Sequence, residues 1–211
     1  MPRPSMREKT RSGLGAHIAA LSEHDTAAIF GDSLTERLQW QHPHLAPPLT
    51  WLCGVGGDRI SQLAWRVANE EGSGYTQASL APARLQQIAV LIGSNDLGPG
   101  DGASPREQKK LRSMVQHVAA IVAALRDRWP DAHLHVLPIP PIPTRGQHER
   151  SPAFRAAYLA MLREQGLLTT EVDWPLMDLE NDFEDGVHLS ASGYHVLLSL
   201  LASLSIPVPS T

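Results

Sequence analysis

Ala27-Ala28-Ile29-Phe30-Gly31-Asp32-Ser33-Leu34-Thr35-Glu36-Arg37-Leu38 is the stretch on which the reading of the chain turns. A short apolar run stops at a glycine, a serine follows, and the next residues have helical character. This pattern reads as a buried strand delivered into a helix. A serine at such a junction sits beside the unsatisfied N–H groups of a first helical turn. A nucleophile and an oxyanion donor are two of the parts that acyl transfer needs. Serine is also a favoured helix cap, so from this segment alone Ser33 is either a nucleophile or the cap of a helix over Leu34–Trp40.

The strand-to-glycine pattern recurs downstream. Thr50–Cys53 reads as a strand running into Gly54-Val55-Gly56-Gly57-Asp58. Ile60, Leu63, Ala64 and Val67 then recur at helical spacing, with Gly72-Ser73-Gly74 ending that helix. Gln87–Ile92 is a further apolar strand and stops at Gly93-Ser94-Asn95-Asp96. Ser104-Pro105-Arg106-Glu107 supplies a cap, a first-turn proline and a capping-box glutamate. The helix it opens carries Leu111, Met114, Val115, Val118, Ile121, Val122 and Leu125 on one face. His133–Leu137 predicts another strand, Ser151-Pro152 opens a helix that Gly166 closes, and Ser190 caps the last helix. A weak fifth strand is expected within Val172–Met177. Ahead of the first strand, Thr26–Phe30, residues 1–12 read as a loose N-terminal arm and Leu14–Ser22 as a helix. Alternating strands and helices predict an α/β fold with a parallel sheet covered on both faces. No repeat or composition break divides the chain, so residues 1–211 are expected to form a single domain.

Composition narrows the function. With 42% hydrophobic and 19% charged residues among 211, the chain can bury a substantial core. A formal net charge of -4 lacks the basic signature of a nucleic-acid binder. Cys53 is the lone cysteine, which excludes an intramolecular disulfide framework and a cysteine-rich zinc site. His42 with His44, and His133 with His135, alternate as metal-ligand pairs do, but no matching carboxylate or cysteine spacing joins them, and no metal is expected. Arg59 stands where a G-x-G-x-x-G pattern from Gly54 needs its third glycine, so a nucleotide cofactor is not expected either. Val196–Ile206 is too short to span a bilayer, and the basic N-terminus lacks an apolar run behind it. A soluble, cytoplasmic protein is the expectation, and its oligomeric state is open.

In open α/β sheets, sites form beyond the carboxyl ends of the strands. Backbone N–H groups of Ser33 and Gly57, with the side-chain amide of Asn95, offer three donors for a developing oxyanion. Asp185 and His188 lie three apart in Asp182-Phe183-Glu184-Asp185-Gly186-Val187-His188-Leu189-Ser190. A turn there lets the carboxylate hold one ring nitrogen and leaves the other for Ser33; otherwise Asp185 is a turn residue and His188 an exposed loop histidine. Asp32 reads as support for the helix start, Asp58 as a helix cap, and Trp65 and Arg66 as packing and a helix-surface pair. Leu34, Leu97, Ile139 and Val187 are candidate substrate contacts; Leu97 and Ile139, with Pro140 and Ile142, equally fit ordinary loop packing. The acidic run from Asp178 to Asp185 is either solvated loop charge or a field that disfavours anionic substrates.

Gly31-Asp32-Ser33-Leu34, Gly57, Gly93-Ser94-Asn95-Asp96 and Asp185-Gly186-Val187-His188 resemble the ordered signature blocks of the SGNH (GDSL-type) hydrolases. The resemblance implies a three-layer α/β/α, flavodoxin-like sandwich around a parallel sheet of about five strands. It also implies a cofactor-independent serine esterase acting on a small-molecule ester. Carried across, Ser33 is the nucleophile, Gly57 and Asn95 complete the oxyanion hole with the Ser33 N–H, and Asp185 and His188 complete the triad. Gly54-Val55-Gly56-Gly57-Asp58 followed by Trp65-Arg66 is similar to platelet-activating-factor acetylhydrolase catalytic subunits, which implies a short acyl group such as acetyl. The chain departs from many members in carrying Leu52 where they have asparagine, so a polar tie between strand ends is expected to be missing. Acyl transfer to another alcohol, sugar deacetylation and a non-catalytic ligand-binding module are the competing readings.

Overall fold

β1 (Ala27–Gly31) runs through the middle of a parallel sheet, between β2 (Thr50–Gly54) and β3 (Gln87–Leu91), with β4 (His133–Val136) beyond β3. The structure is a computed structural model describing residues 8–69, 73–77, 84–142, 151–168, 174 and 177–209. All of β1 is buried, as a continuous apolar run covered on both faces requires. Gly31 is level with Gly54 on one side and Leu91 on the other. The loops leaving these strands therefore start from one edge of the sheet.

Helices α2 (Ser33–Trp40), α3 (Ile60–Val67) and α4 (Pro105–Arg128) make the crossovers. The β1–α2–β2 step moves across the sheet in the opposite sense to the two that follow. Right-handed connections therefore put α2 on one face and α3 and α4 on the other. α6 (Ala191–Ser203) joins α2, where the Tyr194 hydroxyl donates to the Leu34 carbonyl at 2.7 Å. α1 (Glu8–Ala20) packs on β2 and α3, and α5 (Pro152–Glu164) packs on α4. The result is the expected α/β/α sandwich. It has four strands among the described residues, and the expected fifth, within Val172–Met177, lies mostly outside them.

α3 departs from expectation. Arg66 is not on the helix surface but has no exposure at all, and neither has Asp58. The Arg66 guanidinium donates to Asp58 Oδ2 at 2.8 Å, to the Cys53 carbonyl at 2.9 Å, to the Gly31 carbonyl at 2.7 Å and to the Tyr75 hydroxyl at 2.7 Å. Asp58 accordingly does not cap α3; it pairs with Arg66 and accepts from the Thr10 hydroxyl at 2.7 Å. Burial, with the Arg66 charge nearby, pushes His17 down to about 4, so its ring is neutral at pH 7. The Tyr75 hydroxyl, which accepts from Arg66, is also hydrogen-bonded with His17 Nδ1, 2.7 Å away. These bonds fasten α1 to the sheet, and α1 starts at Glu8, inside the stretch expected to be a loose arm.

Removing one partner from a buried ion pair costs about 3–5 kcal/mol. Arg66→Met should therefore lower stability by that amount in urea unfolding. Arg66→Lys should recover little, since one ammonium has three hydrogens for the four acceptors named above. A loss below about 1 kcal/mol for Arg66→Met would contradict this account.

Candidate active site

Ser33 lies in the first turn of α2, and the cap is Asp32, whose Oδ1 accepts from the Leu34 N–H at 3.1 Å. The reading of Ser33 as a cap therefore falls. N–H groups in a first helical turn have no partner within the helix, and that of Ser33, the first residue of α2, is among them. Asp32 is itself completely buried and accepts from the Ser94 hydroxyl at 2.6 Å. That bond ties the Gly93-Ser94-Asn95-Asp96 loop to the serine turn. Desolvation pushes the Asp32 carboxyl up, against the pull of these hydrogen bonds.

The C-terminal loop is closed as a narrow hairpin. Glu184 N–H donates to the His188 carbonyl at 2.8 Å, Ser190 N–H donates to the Asp182 carbonyl at 3.0 Å, and Phe183 bridges Leu189 in antiparallel sense. Inside it, Asp185 Oδ1 accepts from the N–H groups of Val187 at 3.1 Å and His188 at 2.9 Å. That turn leaves Oδ2 free to meet His188 Nδ1 at 2.7 Å, while His188 Nε2 lies 3.0 Å from Ser33 Oγ. Burial raises the Asp185 carboxyl, but the His188 ring and the two backbone donors outweigh it and hold it at about 2. An ionised Asp185 only accepts, so His188 Nδ1 carries a proton towards it, and in the neutral ring Nε2 is then the acceptor for the Ser33 hydroxyl.

Gly57 stands at φ +80°, a left-handed conformation that disfavours any side chain. Asn95 donates one amide hydrogen to the Asp58 carbonyl at 3.0 Å, and its amide carries a second. Gly57 and Asn95 are thus joined through the residue following the glycine. Leu97 and Val187 are partly exposed; Leu97 comes two residues after Asn95 and Val187 directly before His188. Leu34 and Ile139 are each 1% exposed, so they lie behind the surface and do not line it.

Sequence reasoning passed over Arg37, which reaches across from α2 to Glu184 at 3.1 Å and Asp185 at 3.5 Å. His42 adds a contact to Glu184 at 3.6 Å. Asp182 is buried, accepting from the Asp178 N–H at 2.8 Å and from the Ser192 hydroxyl at 2.5 Å. Arg37 thus offsets part of the charge of the acidic run, and Asp182 is held by neutral donors. No group of residues suited to holding a metal occurs among the described residues, and no helix there is long and apolar enough to cross a membrane.

The profile of the GDSL-like lipase/acylhydrolase family matches residues 27–196. No curated protein matches the sequence. Among solved structures, a protein from Streptococcus pneumonia provisionally described as a platelet activating factor is 18% identical, with TM-score 0.69 over 93% of this chain and 92% of that one. A Bacteroides fragilis protein provisionally described as an acylhydrolase is 14% identical, with TM-score 0.61 over 96% and 95%. A carbohydrate esterase family 3 protein from Talaromyces cellulolyticus is 15% identical, with TM-score 0.55 over 85% and 95%. At these identities the likenesses carry the fold.

Asp96 supplies the pH dependence at this edge. Its carboxylate is buried against the Ile60 N–H at 3.0 Å, and desolvation pushes it up to about 6. A carboxyl raised on folding favours the folded state when protonated, and this contribution is lost as pH rises through 6. Asp96→Asn should accordingly raise stability at pH 8, by up to about 3 kcal/mol. The gain should shrink towards pH 4, which thermal unfolding across that range will check.

Proposed function

The chain belongs to the GDSL-like lipase/acylhydrolase family and is an ester-bond hydrolase, and we propose that it works as a single-domain serine esterase through an acyl-serine intermediate. The observation that carries this reading is the line of hydrogen bonds from Asp185 through His188 to Ser33, at 2.7 and 3.0 Å. Ser33 Oγ attacks the ester carbonyl carbon while its proton passes to His188 Nε2. Asp185 keeps the ring oriented and offsets the charge of the imidazolium. The N–H groups of Ser33 and Gly57 and the Asn95 amide bond the oxygen that becomes negative. The carbon–oxygen bond to the alcohol then breaks, and the alcohol departs with the proton from His188. Water enters next, giving a proton to His188 and its oxygen to the carbonyl carbon. Ser33 recovers its proton as the acid leaves.

Short acyl groups are the proposed substrates, in keeping with the Gly54–Asp58 block, with Leu97 and Val187 as the side chains beside the acyl carbon. A p-nitrophenyl acetate to decanoate series will measure this directly. Ser33→Ala and His188→Ala should lose activity to a similar extent, because the pair acts as a unit. Asn95→Ala should lower kcat by about 10²–10³-fold with less effect on KM. Full activity in Ser33→Ala would end the proposal, as would an absence of labelling at Ser33 by a phosphonate ester. Product analysis with added alcohols will reveal any transfer to acceptors other than water.

A further inference from the structure

Beside the candidate site runs a groove of about 530 Å³ between the start of α3 and the N-terminal half of α4. It begins at Arg59 and Asp96, which are next in sequence to Asp58 and Asn95. Its other wall carries Arg106, Lys109, Lys110 and His117, which helical spacing gathers on one side of α4. Four permanent cations therefore face one carboxylate, Asp96. The concentration is marked in a chain whose net charge is -4.

Arg59 and Lys110 attract the Asp96 carboxylate, the one negative charge in the groove. Among the described residues, none of the four is in an ion pair; Lys110 Nζ sits 5.1 Å over the Phe154 ring. Asp96 has its Oδ2 committed to the Ile60 N–H, and Glu107 is held on Ser104 at the α4 cap. Like charges at this spacing destabilise a helix by about 0.2–0.5 kcal/mol per pair. A cleft with charge of one sign and low-dielectric walls focuses its field on a small anion. Its size is that of a small-molecule site, in the usual range of about 300–1,000 Å³.

We infer that the groove binds a carboxylate or phosphate carried by the ester substrate, making the enzyme selective for anionic esters; this rests on the esterase reading above. Two matched pairs of substrates separate the sources of the anion. Mono-p-nitrophenyl glutarate against p-nitrophenyl butyrate places it on the acyl side. Acetylated glycerol phosphate against acetylated glycerol places it on the alcohol side.

At low ionic strength and pH 8, the anionic member of at least one pair should show the higher kcat/KM, with the advantage fading as salt is added. In Arg106→Glu/Lys109→Glu the ratio of anionic to neutral kcat/KM should fall about tenfold or more, mainly through KM. The neutralised Arg106→Gln/Lys109→Gln pair should fall less, and Asp96→Asn should move the ratio upward. Inorganic phosphate, titrated by NMR on wild-type protein, should shift the α4 resonances and compete with the anionic ester. Ratios within twofold of wild type in both charge variants, alongside normal hydrolysis of neutral esters, would overturn the inference and leave the esterase standing. Phosphate binding with no hydrolysis of any ester would overturn the esterase reading and the substrate assignment with it.

Discussion

The Arg66 guanidinium, bonded at once to the carbonyls of Gly31 and Cys53, is the constraint on which the rest of the structure depends. Those carbonyls belong to the last turns of β1 and β2, directly before the chain leaves the sheet toward Ser33 and Gly57. A buried carbonyl left without a donor costs about 1–3 kcal/mol, so the level of the two strand ends is held against slippage. Gly54 lets α2 come close to the end of β2, since a Cβ there would lie 2.1 Å from the Glu36 N–H nitrogen. The polar tie expected to be missing with Leu52 therefore exists, supplied by α3 in place of β2. A positive charge in this position needs its own company, and Asp58 and Tyr75 provide it, with Thr10 and His17 of α1 behind them.

Three aspartates at the same edge show how environment divides one side-chain type into different roles. Asp32 and Asp96 are buried, and desolvation pushes both upward. They act as hydrogen-bond posts that position Ser94 and the start of α3. Asp185 remains about half exposed, yet donors from His188 and Val187 hold it at about 2. Of the three, Asp185 is the one that its surrounding donors hold low, and it sits beside the imidazole that exchanges a proton in the proposed reaction. The same reasoning explains the hairpin around it. Asp185 can orient His188 only if its Oδ1 is already occupied by the turn, and the hydrogen bonds at either end of the loop keep that turn closed.

Much of this was legible from residue patterns. The glycine-terminated apolar runs marked β1, β2 and β3 to within a residue or so, because a strand buried on both faces has no alternative to a continuous apolar stretch. Ser104 and Ser190 marked two helix starts, since a side-chain oxygen there satisfies an N–H that nothing else can. α1 was placed too late for the opposite reason. Its buried face is Thr10, Leu14 and His17, held largely by hydrogen bonds, so it carries almost no apolar rhythm to read. Arg66 did leave a signal: it falls three residues after Leu63 and beside Val67, on the apolar stripe of α3. Charge alone argued for the surface, and only a partner distant in the chain, at Gly31, could have argued otherwise.

Charge at the site is likewise arranged by the fold. The run from Asp178 to Asp185 holds most of the carboxylates near His188, and by sequence it dominates the local electrostatics. In the folded chain Arg37 and His42 meet Glu184, and Arg37 meets Asp185 as well. Asp178 and Asp182 take up backbone and side-chain donors of their own loop. Arg37 offsets part of the charge on Glu184 and Asp185, whereas Asp178 and Asp182 accept only from neutral donors, which offset none. The cations of Arg59, Arg106, Lys109 and Lys110 come from two separate segments and look dispersed in sequence, but they share one groove with a single carboxylate. The field that a substrate meets is therefore set by which charges the fold gathers on each side of the site, not by their order in the sequence.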